Sequence, residues 1–111
     1  MIGRTHRFHG YGSLRRVYAN GQSARGSIIN LRFSPRAAGK PYRAAVVVSR
    51  KVNKSAVVRN RIRRRVYELI RRSDNRPDST DLIFTVFSDQ VAELDAAKLA
   101  ATVDELLTKA K

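Results

Sequence analysis

The chain has 111 residues, no cysteine, and 23 Lys and Arg against 9 Asp and Glu, a formal net charge of +14. Those figures exclude a disulfide framework, a thiolate nucleophile and any Cys-based metal centre, and they bound the protein to a single domain, 1–111, large enough for a core of its own. No apolar run approaches the roughly 18 residues of a membrane span and no secretory signal opens the chain, so a cytoplasmic protein is expected.

The charge is unevenly placed. Residues 1–76 hold 20 basic and 2 acidic side chains, residues 77–111 hold 3 basic and 7 acidic, and arginine outnumbers lysine 17 to 6. A planar guanidinium forks onto phosphate and stacks on bases, so the expected partner is a polyanion. Nucleic acid is favoured over membrane because no strongly apolar face accompanies the charge, and no small-molecule substrate is expected.

In chain order, residues 1–12 carry three glycines without periodicity and read as an N-terminal arm that is ordered only when a partner holds it. "SLRRVYANG" then spaces Leu14, Val17 and Tyr18 at i, i+3, i+4 between a Ser13 cap and a Gly21 stop, which predicts a helix of about two turns. "SIINLRFS" alternates, with Ile29, Leu31 and Phe33 on one face and Ile28, Asn30 and Arg32 on the other, as a half-buried strand does. "PRAAGKP" is a loop, and "YRAAVVVS" is a second strand, apolar enough on both faces to be central. "TDLIFTVFS" is a third strand, with Leu82, Phe84 and Val86 opposite Ile83, Thr85 and Phe87. "LDAAKLAATVDELLTKAK" is an amphipathic helix capped by Asp95, with a Leu99, Val103, Leu106 stripe and with Asp104 and Glu105 turned to water.

Between the second and third strands, "SAVVRNRIRRRVYELIRR" combines seven arginines with six Val, Ile and Leu. At about 100° per residue, Val58, Ile62, Val66, Leu69 and Ile70 share one arc while Asn60, Arg61, Arg64, Arg65, Arg71 and Arg72 lie opposite, and Arg59 and Arg63 flank the apolar seam. Ser55 caps this helix, and Glu68 has Arg64 and Arg72 within one turn. Solvated helix faces mix charge signs. A nearly unmixed cationic face costs self-repulsion that a polyanion relieves, and "SRKVNK" just before the helix extends it.

Other motifs carry less. His6 and His9 form an H-x-x-H pair without a third ligand, more suited to phosphate or base contact than to metal, and Gly10-x-Gly12 lacks the context of a phosphate loop and reads as a hinge. Residues 1–76 offer only Glu68 and Asp74 as carboxylates, which leaves the chain poorly equipped to cleave a phosphodiester unaided. Tyr18 suits either packing or stacking on an unpaired base.

"RAAVVVSRKVNKSAVVRNRIRRRVYELIR", Arg43 to Arg71, closely resembles the signature of the bacterial ribonuclease P protein subunit, and "RFHGYGSLRRVYANGQSARGSIINLRF" resembles that family's N-terminal region. The resemblance covers about residues 7–107. It implies an α+β fold: a small two-layer α/β sandwich with a four-stranded, mixed but mostly antiparallel sheet and helices on one side. The crossover between parallel strands through the Arg-Asn-Arg helix is left-handed, an exception to the usual rule. The same architecture occurs in the second domain of a small-subunit ribosomal protein.

The resemblance further implies the partners: the catalytic RNA of ribonuclease P and the 5′ leader of precursor tRNA, which the ribonucleoprotein removes in a Mg2+-dependent hydrolysis. The Mg2+ is bound mainly by the RNA, with no metal or cofactor expected on the protein alone and no catalytic side chain. Carried onto this chain, the surface for the catalytic RNA comprises Arg59, Asn60, Arg61, Arg63, Arg64 and Arg65, with Arg50, Lys51 and Lys54 ahead of them. The leader groove comprises Leu14, Tyr18, Asn30, Arg32, Val47 and Ser49. Leu14 departs from the family's usual phenylalanine, so one stacking platform is missing there. Two other readings stay open: a structural, ribosomal-type RNA-binding protein, and a metal-dependent nuclease acting alone.

Overall fold

The computed structural model describes residues 3–8 and 11–111. Its elements are α1 (Tyr11–Asn20), β1 (Gln22–Ala24), β2 (Ile29–Pro35), β3 (Arg43–Val47), α2 (Ala56–Arg72), β4 (Thr80–Val86) and α3 (Ala96–Lys109). Single 3-10 turns occupy Arg4–His6 and Asp89–Ala92.

The strands form one sheet in the order β1-β2-β4-β3. β2 pairs antiparallel with both β1 and β4, whereas β3 and β4 run parallel and are joined through α2. The period-two pattern of β2 and β4 sorts their side chains between faces as expected: Ile29 and Leu31 meet Val86 and Phe84 in register, and all four are buried in the main core. Two expectations change. β3 is an edge strand, not a central one: it pairs with β4 on one side, and on the other carries only an isolated bridge from Arg7 to Ala44. β1, absent from the three strands legible by alternation, is a three-residue segment whose pairing with Leu31, Arg32 and Phe33 makes it a strand.

α2 and α3 cover one face. Ile62, Val66 and Ile70, spaced at i, i+4, i+8, are fully buried in one core cluster with Ala44 and Val46 of β3, Leu82, Phe84 and Val86 of β4, and Leu99, Val103 and Leu106 of α3. Burying a side chain of that size stabilises by about 1.5–3 kcal/mol, so this seam fixes how α2 is rolled on the sheet. Its ends are satisfied locally. Ser55 Oγ accepts from Val58 N–H, and Arg76 reaches back to donate to the Ile70 and Arg71 carbonyls at 3.0 and 2.9 Å. Asp104 is not turned to water as its helical position suggested; it accepts from Ser73 Oγ at 2.6 Å and ties α3 to the end of α2.

α1 lies on the opposite face, so the helices are not confined to one side of the sheet. It packs on β2 and β4, where Val17 and Ile83 are both buried yet outside the main core cluster. The helix starts at Tyr11, two residues before the expected cap, and Ser13 Oγ instead accepts from Arg43 Nη1 at 3.2 Å. The helix does stop at Gly21, whose N–H donates to the Val17 carbonyl at 2.7 Å. A Cβ at Gly21 would stand 2.9 Å from the Phe33 carbonyl, which leaves no room for a side chain.

The described part of the N-terminal stretch lies along β3. Arg7 bridges Ala44, His6 stacks on Tyr42 with ring centroids 4.0 Å apart, and His6 Nδ1 is 2.9 Å from the Tyr42 carbonyl. His9 and Gly10, half of the H-x-x-H pair and of the hinge reading, lie outside the described residues.

Candidate nucleic-acid interface

The buried seam of α2 dictates what the rest of the helix presents. With Ile62, Val66 and Ile70 turned inward, Asn60, Arg61 and Arg64 are exposed on the far side, as the helical period requires. Asn60, Arg63, Arg64 and Tyr67 line one shallow cleft, in which Arg63 donates to Asn60 Oδ1. Tyr67 anchors this cleft to the sheet edge by accepting from the Val46 N–H at 3.1 Å. Arg64 has no ion pair or hydrogen bond among the described residues. Arg50, Lys51 and Lys54 line a second cleft in the turn that enters the helix, all three exposed.

Not every arginine of the run faces outward for use. Arg65, expected on the cationic face, spends both terminal nitrogens on the Val91 and Leu94 carbonyls, each at 2.6 Å. It braces the 3-10 turn between β4 and α3. Arg59 donates to the Asn53 and Lys54 carbonyls at 2.9 Å each, so it holds the entry turn in shape beneath Lys54. Arg61 has a 3.4 Å contact with Glu93, but both side chains are more than half exposed, and such a pair is weak and easily exchanged for another anion. Glu68 pairs with Arg71 and Arg72; its carboxyl is held below the usual range, first by the Arg71 hydrogen bond.

Asp89 accepts from Asn53 Nδ2 at 3.1 Å and lines, with Asn53, Arg61 and Glu93, a cleft beside the start of α2.

The open sheet face brings the second group of residues together. In register across three strands, Asn30, Thr85 and Val47 form one row, with Arg32, Ile83 and Ala45 forming the row beneath α1. Tyr18 and Val47 are 46% and 38% exposed, Leu14 is half-buried and Ser49 is exposed at the end of β3. Asn30 Oδ1 accepts from Gly26 N–H at 3.1 Å. Arg32 belongs to this face but is not free: Nη1 donates to Ser23 Oγ, and Nη2 donates to the Tyr18 and Gly21 carbonyls at 2.6 and 3.0 Å. It is the bolt that holds the end of α1 on the sheet. Thr85 also lies on this face, and continuing the alternation of β4 one residue past its end puts Phe87 there too; neither was among the expected groove residues.

The molecule so described is a small α+β domain with one arginine-rich helix on one face of its sheet and a partly open sheet face on the other. The family model described as Ribonuclease P matches residues 2–111, and the chain belongs to that family. A ribonuclease P protein component from Caldanaerobacter subterraneus is 34% identical over 96 residues, covering 86% of this chain and 80% of that protein. Another from a Synechococcus species is 38% identical over 74 residues, covering 64% of this chain and 56% of that protein. One from Thermus thermophilus is 37% identical over 89 residues and is matched over 50% of its length. The chain thus spans about half the length of some of these relatives. Among solved structures, the Staphylococcus aureus RNase P protein superposes with a TM-score of 0.82 at 19% identity, covering 97% of each chain. The Thermotoga maritima RNase P protein does so at 0.82 and 23%, covering 95% of this chain and 97% of its own. These two likenesses establish the fold.

Among the described residues no helix is long and apolar enough to cross a membrane.

Proposed function

We propose that this chain is the protein component of a cytoplasmic ribonuclease P, a ribonucleoprotein in which the catalytic RNA carries Mg2+ and hydrolyses the bond between the 5′ leader and the tRNA body. The protein supplies no reacting group. Its part is to hold two polyanions together: the exposed side of α2 and the Arg50, Lys51, Lys54 turn dock on the catalytic RNA, and the open sheet face beside α1 takes the single-stranded leader.

The observation that carries this reading is the division of α2, with Ile62, Val66 and Ile70 fully buried and Asn60, Arg61 and Arg64 exposed beside the Arg50, Lys51, Lys54 cleft. A cationic surface anchored by a packed seam keeps its geometry when RNA binds, so little ordering entropy is lost. Arg59 and Arg65 contribute by shaping the turns on either side of that surface.

Reconstitution tests it. The protein is added to a bacterial ribonuclease P RNA at low Mg2+ and removal of the leader from precursor tRNA is measured. Stimulation of cleavage is expected, with none when the RNA is omitted. No stimulation at near-physiological salt would favour a structural, ribosomal-type role, and cleavage by the protein alone would favour a self-sufficient nuclease.

A further inference from the structure

The expected aromatic platform at position 14 is a leucine here, yet an unassigned aromatic ring sits on the same face. Phe87 follows the last residue of β4, and its N–H donates to the Ile28 carbonyl at 2.8 Å, which continues the ladder one step and fixes the backbone. Alternation puts its side chain on the face of Ile83 and Thr85, and it is 54% exposed. A single exposed phenylalanine is ordinary on a protein surface. This one is not isolated: of the four large apolar side chains left exposed among the described residues, Tyr18, Val47 and Phe87 belong to this face or to the helix that crosses it.

The register shows how they are disposed. α1 covers β4 at Ile83, and Phe87 lies four residues further along the strand, roughly 13 Å away at about 3.3 Å per residue. Between them runs the Asn30, Thr85, Val47 row. The Asn30, Thr85, Val47 row itself carries no charged side chain; Arg32, in the next row, keeps its charge but is held on the Tyr18 and Gly21 carbonyls, and Arg43 is paired with Asp81. A neutral, partly apolar floor inside a chain of net charge +14 suits the one part of an RNA strand that is flat and uncharged, its bases.

We infer that Phe87 is a stacking platform for one unpaired base of the leader, forming the wall of the channel opposite α1. The inference rests on the leader-groove reading above and adds the residue that sets where along the leader a base is gripped. Ring stacking tolerates any base identity, so the site senses that a base is present and not which one. Phe87 restores an aromatic surface that Leu14 does not provide, from the other side of the channel.

The test uses the reconstituted ribonucleoprotein and precursor tRNAs in which leader nucleotides are replaced one at a time by an abasic residue. The native protein is expected to lose roughly 5- to 100-fold in affinity at one leader position. F87A should show the same loss with the intact leader and no further loss at that abasic position. F87W should behave like the native protein, and F87L, which keeps apolar bulk without a ring, like F87A. Binding of mature tRNA and assembly with the catalytic RNA should be unchanged in all three. If shortening the leader weakens the native complex but F87A and F87L bind the intact leader normally, Phe87 is not the platform and the groove reading stands. If neither shortening nor any abasic residue affects the native complex, both fall.

Discussion

Arg43 on β3 and Asp81 on β4 sit opposite one another in the parallel register and close a two-pronged ion pair, Nε to Oδ1 at 2.7 Å and Nη2 to Oδ2 at 2.8 Å. Asp81 is buried, Arg36 approaches it at 3.6 Å, and Arg43 also donates to Ser13 of α1 and lies over the Phe8 ring at 4.9 Å. One carboxylate therefore organises β3, the start of α1 and the N-terminal stretch. D81N leaves two guanidiniums without a counter-charge and should cost about 3 kcal/mol, read as a lower urea midpoint. An unchanged midpoint would show that the arginines find water instead.

Arg64 and Arg65 are neighbours in sequence with opposite expected behaviour. R65A removes two charge-assisted bonds to the Val91 and Leu94 carbonyls and should lower stability by about 2 kcal/mol. R64A should leave the thermal midpoint unchanged and weaken binding to the catalytic RNA. Equal effects of the two on both readouts would contradict the division.

Salt should report the same surface. With 6–10 phosphates neutralised, affinity for the catalytic RNA is expected to fall about 10³–10⁵-fold between 50 and 200 mM salt. R64A should flatten the plot of log affinity against log salt by about one unit of slope. A salt-independent affinity would exclude a phosphate-dominated interface.

Tyr42 predicts an alkaline weakness. Burial pushes its phenol above the ordinary value of 10.0, with Arg76 and Arg71 opposing that shift less strongly. The ring is stacked between His6 at 4.0 Å and the Arg76 guanidinium at 4.2 Å. A raised folded pKa means the folded state keeps a proton that the unfolded state gives up. Its contribution is complete below about pH 10 and is lost as pH rises through the folded value. Y42F should remove that part of the alkaline destabilisation, seen as a flatter dependence of the urea midpoint on pH above 10. An identical pH dependence in Y42F would assign the loss to other groups.

Much of the fold was legible because it follows from local period. The alternation of β2 from Ile29 onward and of β4, the Ser55 and Asp95 caps, and the Ile62, Val66, Ile70 stripe are each written within a few residues and hold, whereas Ile28, expected opposite Ile29, packs against the main core. β1 was not legible, since Gln22–Ala24 has no alternation of its own and is a strand only because β2 runs beside it. The edge position of β3 was equally hidden, for its apolar run reads the same whether one neighbour or two flank it. Within the groove, Thr85 and Phe87 were visible as a face of β4 but not as part of a site, because α1 had not been placed over that face.

By itself the sequence determined that one helix bears a greasy seam and a cationic back, that the chain is strongly basic, and that it carries the Arg-Asn-Arg signature of its family. Only the tertiary structure decided which arginines are at liberty. Helical period places Arg64 and Arg65 on the same exposed arc, but the carbonyls that capture Arg65 come from residues 26 and 29 positions away. A guanidinium is free or spent according to the acceptors that folding brings to it, and periodicity within one helix holds no record of those.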